Sequence, residues 1–429
     1  MALKSFNKFL RQEQPWIIWG LAAAFFFAEY LARIAPSVMA PQLMEAFDVG
    51  ALSLGSLSAF FYYSYLSMQI PVGSLMDRFG PHRLLTVMAA LCAVGCFLFA
   101  ESHSLGMAKV SRLMIGFGAA FAFVGSLKLA TIWFSPTRFG LLAGITQALG
   151  MLGASVGQGP VSVLVLHIGW RSTMWTIGII LCVLAVLIGL LVRDNPSSST
   201  MYHSIKPISP DVEHDLIKGL WIVLRNPQTW VNGVIVGFLY APTAAFAELW
   251  GVSYVRGVYG IPTAVAASAI SMIFIGWGIG GPIGGWISDR IQLRKPVIYA
   301  SAIASMICIS IVLYSPTMPI VMLFILLFLY GISNVGVATC YAVSCEINPR
   351  AVAGASMGFT NMASVIVGAA FQPVIGWLLD LHWDGQMLNG APVFSPENFK
   401  SSVIVLPICF VACLLLIWKL KETHCRITE

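Results

Sequence analysis

The chain has 429 residues, of which 58% are apolar and only 10% charged, where a soluble protein carries about a quarter charged. A mean hydropathy of +0.84 excludes an ordinary cytosolic enzyme and describes a chain made mostly of membrane spans of about 20 residues each. The net charge of +6 is scattered singly between apolar runs, which excludes a basic stripe for nucleic acid and leaves the charge as topology information.

Lys4, Lys8 and Arg11 precede an apolar run that begins at Trp16. The run is too long for the apolar region of a signal peptide and lacks a small-residue cleavage site, so it reads as a first span that stays. Spans are predicted near 16–38, 53–75, 83–100, 107–133, 139–165 and 171–192, then near 228–254, 264–287, 296–315, 318–343, 352–379 and 401–419. Between the sixth and seventh lies the longest polar segment, with Pro196, Ser197, Ser198, Ser199, Pro207, Pro210, Asp211, Glu213 and Asp215. The expected fold class is therefore an all-α membrane protein of twelve transmembrane helices in two pseudo-symmetric six-helix bundles. The bundles are 1–192 and 228–429, joined by a cytoplasmic linker over 193–227.

With an even number of spans, both ends share a side. Seventeen lysines and arginines lie on the ends and even-numbered connectors, against four (Lys109, Arg171, Arg256 and Lys400) on the odd-numbered ones, which predicts cytoplasmic termini. The nine cysteines sit in or beside apolar runs without the spacing of zinc sites and read as packed or lipid-facing thiols.

An internal repeat supports two halves. Gly73-Ser74-Leu75-Met76-Asp77-Arg78 closes span 2, and Gly285-Trp286-Ile287-Ser288-Asp289-Arg290 closes span 8, 212 residues later. Gly144-Ile145-Thr146-Gln147 with Pro160 in span 5 returns as Gly358-Phe359-Thr360-Asn361 with Pro373 in span 11, at offsets of 214 and 213. A duplicated bundle of this kind places its binding site at the seam between the halves.

These residues resemble the major facilitator superfamily over essentially the whole chain. Its signature between spans 2 and 3 matches Gly73, Asp77, Arg78, Gly80 and Arg83, and a weaker second copy matches Gly285, Asp289, Arg290, Arg294 and Lys295, with Ile291 and Gln292 in place of Phe-Gly. Arg112, Gly116 and Gly118 match its span 4 pattern. Within it, Phe27 to Met39, Tyr62-Tyr63-Ser64-Tyr65 and Gln69-Ile70-Pro71 resemble the phagosomal nutrient transporters of intracellular bacterial pathogens, which implies uptake of an amino acid or a nucleoside. There is a looser resemblance to the anion:cation symporters. Span 7 lacks their second arginine (Tyr240-Ala241-Pro242-Thr243-Ala244), and Ala119 and Ala120 stand where many of them have a carboxylate.

A charge in hydrocarbon costs several kcal/mol unless it is paired or wetted, so Glu29, Arg33, Arg112, Lys128 and Glu248 each require a reason. Glu29 and Arg33 are four residues apart on one helical face. Their expected roles are proton exchange for Glu29 and a substrate carboxylate contact for Arg33, with a self-satisfied pair as the alternative. Glu248 lacks a basic partner in its own span and follows Pro242, which frees a backbone carbonyl; it is the second expected proton carrier. Arg112 is expected either to neutralise Glu29 or to brace the bundle, and Lys128 to gate or to snorkel. Expected substrate contacts are Tyr62, Tyr65 and Gln69 on one face of span 2, the repeat-related Gln147 and Asn361 facing each other across the seam, and Trp250, Trp277, Tyr330 and Asn334 in the second half. Gly150, Gly153 and Gly157 are expected to let helices approach closely. Asp77 and Arg78, and their poorer sequence match Asp289 and Arg290, are expected to form a charged latch at the cytoplasmic edge.

The sequence thus predicts a non-enzymatic, proton-coupled secondary transporter of the bacterial inner membrane, importing a small polar nutrient by alternating access. Its expected partners are substrate, protons and lipid, with no nucleic acid, no cofactor and no metal, and it is expected to be monomeric. No P-loop is present, so ATP is not the energy source. Proton-antiport export of a drug or siderophore, organic-anion symport, and a non-transporting ligand sensor remain as alternatives.

Overall fold

The structure is a computed structural model that describes residues 2–194, 212–388 and 390–426. Most of the predicted linker core, including Pro196 to Asp211, lies outside the described residues, as do the side chains of Lys4, Lys8 and Arg11.

Among the described residues, ten helices are long and apolar enough to cross a membrane. Two local breaks turn ten into twelve crossings. Phe139–Leu191 holds spans 5 and 6, divided at Gly169, whose φ of 77° is left-handed backbone that a side chain would strain. Span 2 is the pair Ala51–Met68 and Pro71–Phe79, interrupted at Gln69 and Ile70 just before Pro71, which has no N–H to continue the ladder. Span 1 runs Gln14–Phe47, past its predicted end and through Pro36 and Pro41. Span 7 continues to Tyr259, span 10 breaks between Ile320–Ser333 and Gly336–Glu346, and span 12 begins at Pro396. A helix over Val212–Arg225 precedes span 7, docked through Val223 onto Val352 and Phe359.

The outward faces carry Leu166, Val321 and Leu415 at 73%, 71% and 71% exposure. Side chains so apolar and so exposed along whole helices face lipid rather than water, which makes this a multi-pass membrane protein.

Trp16 and Glu422 mark one side, the terminal side: Trp16 packs on Phe134 at the end of span 4, and Glu422 caps span 9. On the opposite, far side, the two bundles are in backbone contact. A Cβ on Gly55 would meet Gln372 O and Pro373, and one on Gly376 would meet Ala51 O, so spans 2 and 11 touch where only glycine fits. Asp380 accepts from the N–H groups of Ala51 and Leu52 at 2.8 Å each, capping span 2 from the other half. Spans 5 and 8 meet at Gly159 against Ser268 and at Gly278 against Met151. The same face of span 5 continues to Gly144 and Gly140, and that of span 8 to Gly281 and Gly285, and there a Cβ would meet open space. The bundles are thus closed on the far side, and spans 5 and 8 part on the terminal side.

Candidate functional site

Span 1 is pinned to its neighbours at its middle. Pro36 cannot donate to the carbonyl of Ala32, four residues back. Arg112 of span 4 supplies the missing donor: its Nη1 gives a 2.7 Å bond to Ala32 O and its Nη2 a 3.1 Å bond to Arg33 O. Arg112 lies within electrostatic reach of Glu29, while its hydrogen bonds go to the span 1 backbone. Arg112 makes no hydrogen bond to that carboxylate; it braces the proline-weakened turn. Span 5 lies close behind, with Gly150 against Phe26 and Tyr30 and Gly153 against Phe27 O, the close approach expected of those glycines.

One turn apart on this braced segment, Arg33 Nη2 donates to Glu29 Oε1 at 3.1 Å. The guanidinium sits among aromatic faces, 4.3 Å from Tyr30, 4.9 Å from Tyr65 and 5.0 Å from Phe61. Both charges are out of solvent, Glu29 at 0% and Arg33 at 4% exposure. Their hydrogen bonding is incomplete, for Glu29 Oε2 and Arg33 Nε are buried without a partner. Glu248 on span 7, also buried, accepts from Tyr240 Oη at 2.7 Å and likewise leaves Oε2 unpartnered. Glu29, Tyr30, Tyr65, Tyr240 and Glu248 all lie within electrostatic reach of Arg33, so spans 1, 2 and 7 converge on one polar cluster at the seam.

Toward the terminal side the cluster is bordered by half-buried groups. Tyr341 Oη donates to Asn361 Oδ1 at 2.6 Å, and Asn361 Nδ2 donates across the seam to Gln69 Oε1 at 2.5 Å. Asn361 thus meets Gln69 rather than its repeat mate Gln147. Gln147, half-buried, lies on the span 5 face that parts from span 8, and Trp277 is half-buried on span 8 with its indole N–H unpartnered.

Four expected substrate contacts are placed elsewhere. Tyr62 is fully buried against Phe61, and Trp250 is sealed between spans 7 and 11, its Nε1 donating to Gln372 O at 2.9 Å. Tyr330 Oη and Asn334 Nδ2 both bond Thr243 Oγ1, at 3.0 and 2.9 Å, which ties span 10 to span 7 inside the second bundle. Tyr330 and Trp250 are thereby satisfied by protein groups, whereas Asn334 Oδ1 stays buried without a partner.

The expected latch residues lie at the terminal edge. Asp77 pairs with Lys128 at 2.6 Å, a contact between spans 2 and 4 of one bundle rather than across the seam. Arg78 stacks over Phe79 and Arg290 over Trp286. In the second bundle the partner of Asp289 is Arg294, at 2.7 Å, and Arg294 Nη2 also meets Glu346 at 2.6 Å. The sequence missed Glu346, Tyr240 and Tyr341 as members of these clusters.

A family model described as the Major Facilitator Superfamily matches residues 21–373. The chain belongs to the major facilitator superfamily. This superfamily transporter is 23% identical over 388 residues to the probable sulfoacetate transporter SauU of Cupriavidus necator, covering 85% of this chain and 87% of that one. It is 24% identical over 414 residues to the membrane sensor protein UhpC of Escherichia coli, covering 91% and 90%. Its fold is similar to a bacterial homolog of the human lysosomal transporter Spinster in an inward-facing, unoccupied conformation, with a TM-score of 0.80 at 14% identity over 95% of this chain and 97% of that one. A point mutant of the nucleoside transporter NupG follows the same fold at a TM-score of 0.73 and 12% identity, covering 94% and 99%. The protein is thus a multi-pass inner-membrane transporter of the major facilitator superfamily and not an enzyme.

Proposed function

We propose that this transporter imports a small polar nutrient, a carboxylate-bearing amino acid first and a nucleoside second, driven by protons. The observation that carries the reading is the incompletely bonded triad of Glu29, Arg33 and Glu248 at the seam. While Glu29 is ionised it holds Arg33. A proton on Glu29 removes its charge and frees the planar guanidinium to take a substrate carboxylate in a two-pronged contact. Glu248, bonded by Tyr240, faces the remainder of the substrate; its carboxylate suits an ammonium group, and its own protonation on release returns the site. With the termini in the cytoplasm, as the lysine and arginine count predicts, the parted terminal side is the inward-open state. The span 1 and span 2 residues that resemble the phagosomal nutrient transporters support the amino-acid reading.

A second reading, organic-anion symport, is favoured by relatives such as the sulfoacetate transporter. It must work with one buried arginine at the site, since span 7 contributes no second one and Arg112 is committed to Ala32 and Arg33.

The test is uptake of labelled amino acids, nucleosides, sugar acids and sulfonates into proteoliposomes with an imposed pH gradient, together with counterflow at equal pH. Glu29→Gln and Glu248→Gln are expected to lose concentrative uptake at least about tenfold while keeping counterflow within about twofold. Undiminished accumulation in both variants overturns the coupling assignment. Efflux under the same gradient would indicate antiport, and binding without counterflow a sensor.

A further inference from the structure

Span 7 ceases to be an ordinary α-helix just after Pro242. Thr243–Trp250 is a π-helix, and the N–H of Gly251 returns to Phe246 O, five residues back. A wide turn turns carbonyls away from the helix axis, and such turns mark functional sites. Two of these carbonyls are taken by side-chain amides of other spans. Gln372 Nε2 donates to Ala244 O at 2.9 Å, and Gln158 Nε2 donates to Ala247 O at 2.6 Å. Both glutamines are fully buried. They stand 214 residues apart, the offset that relates Gly144 to Gly358, so spans 5 and 11 offer the same residue at the same repeat position.

Their mechanical situations differ. Gln372 belongs to the same bundle as span 7, and Trp250 returns a bond to its backbone carbonyl, so the contact is internal to one body. Gln158 belongs to the other bundle. Its Oε1 accepts from Ser37 Oγ of span 1 at 3.1 Å, which aims the amide N–H across the seam. Ser37 stands one turn beyond Arg33, and Ala247 directly precedes Glu248.

We infer that Gln158 is a positioning residue for alternating access: its amide holds the wide turn of span 7, and Glu248 with it, against the first bundle while the far side is closed, and lets go when the far side opens. Gln372 keeps its bond through the whole cycle. A bond between two bodies that separate has to break, so it stabilises only the closed state; a bond within one body stabilises both states equally and leaves their ratio alone. The inference requires that the bundles part on the far side, and neither the substrate nor the proton enters it.

The test is the distribution of distances between spin labels carried by unnatural amino acids at positions 103 and 317. Both are exposed far-side positions in different bundles, and such labels leave the nine cysteines in place. Gln158→Met keeps the side-chain shape and removes the amide. In substrate-free protein it is expected to raise the ratio of far-side-open to far-side-closed populations on the order of fivefold. Gln372→Met is expected to lower the thermal midpoint and leave that ratio at the parent value. Ser37→Ala keeps the amide but loosens its aim, and is expected to shift the ratio in the same direction by less. An unchanged ratio in Gln158→Met, or an equal shift in Gln372→Met, overturns the inference. Should Gln158→Met not fold, an unchanged ratio in Ser37→Ala overturns it. Because no substrate or pH gradient is used, this outcome is separate from that of the uptake test.

Discussion

Two buried arginine–carboxylate pairs in this molecule, one in each bundle, differ in how completely they are bonded. In the second bundle Arg294 is saturated. Its Nε meets both oxygens of Glu346, its Nη2 meets Oε1, and its Nη1 meets Ser288 Oγ and Asp289 Oδ1, while Thr423 Oγ1 donates to Glu346 Oε2. At the seam Arg33 and Glu29 share one bond, and each keeps an unpartnered buried atom. A saturated pair loses by exchanging partners, whereas an unsaturated pair gains by it. Bond completeness, rather than burial or charge, separates the pair that holds the bundle from the pair suited to change hands.

The comparison breaks first at Arg33. Arg33→Ala is expected to reduce transport of a carboxylate-bearing substrate on the order of 100-fold, the effect of truncating one partner of a desolvated charge contact. Arg33→Lys is expected to recover little, because a point charge lacks the two-pronged geometry. Initial uptake rates in proteoliposomes check both, and half-saturation left at the parent value removes Arg33 from the substrate contact. The second bundle should respond in the opposite way. Glu346→Ala leaves Arg294 largely buried with fewer acceptors and is expected to cost about 2 kcal/mol, less than the ~3–5 of a fully enclosed pair because the cluster lies at a membrane edge. A lower thermal midpoint in detergent with an unchanged half-saturation confirms the division of labour. A large change in half-saturation with no loss of stability erases it.

Much of the site was legible because charge in an apolar run is conspicuous. Glu29 and Arg33 declared themselves by four-residue spacing, and Glu248 by its isolation after Pro242. What sequence could not convey was the rotation of helices that are apolar on every side. Spans 7 and 10 face lipid, their own bundle and the seam with similar residues, so periodicity did not reveal that Trp250, Tyr330 and Asn334 turn inward to protein. The bond from Tyr240 to Glu248 was hidden for a related reason. Residues eight apart lie about 80° apart around an α-helix, and the wide turn between them alters that register. Gln158 and Gln372 were within reach of the repeat offset that picked out Gln147 and Asn361. Being embedded among glycine and alanine, they offered no charge to draw the eye. The twelve crossings and the two bundles were carried by composition and spacing alone, whereas the break at Gln69 and the wide turn of span 7 depend on how proline is accommodated by its neighbours.

The smallest expected effect sharpens the same contrast at the rim of the saturated cluster. Partial burial of Glu422 works against its ionisation, but the N–H groups of Arg294, Lys295, His424 and Thr423 outweigh it and hold the carboxyl below the usual carboxylate range. A group whose pKa is depressed by folding adds stability above its unfolded pKa and loses that stability as pH falls through the folded one. The contribution of Glu422 is therefore present above about pH 4.5, the ordinary value, and fades at lower pH. Glu422→Gln should lower the thermal midpoint slightly at pH 7, by an amount reduced through solvent screening, and the difference from the parent should shrink as the buffer is taken below pH 4. A difference that stays constant or grows on acidification means that the C-terminal stretch is held by packing and not by this carboxylate. In that case the tail joins the bonding around Arg294 through Thr423 and not through Glu422.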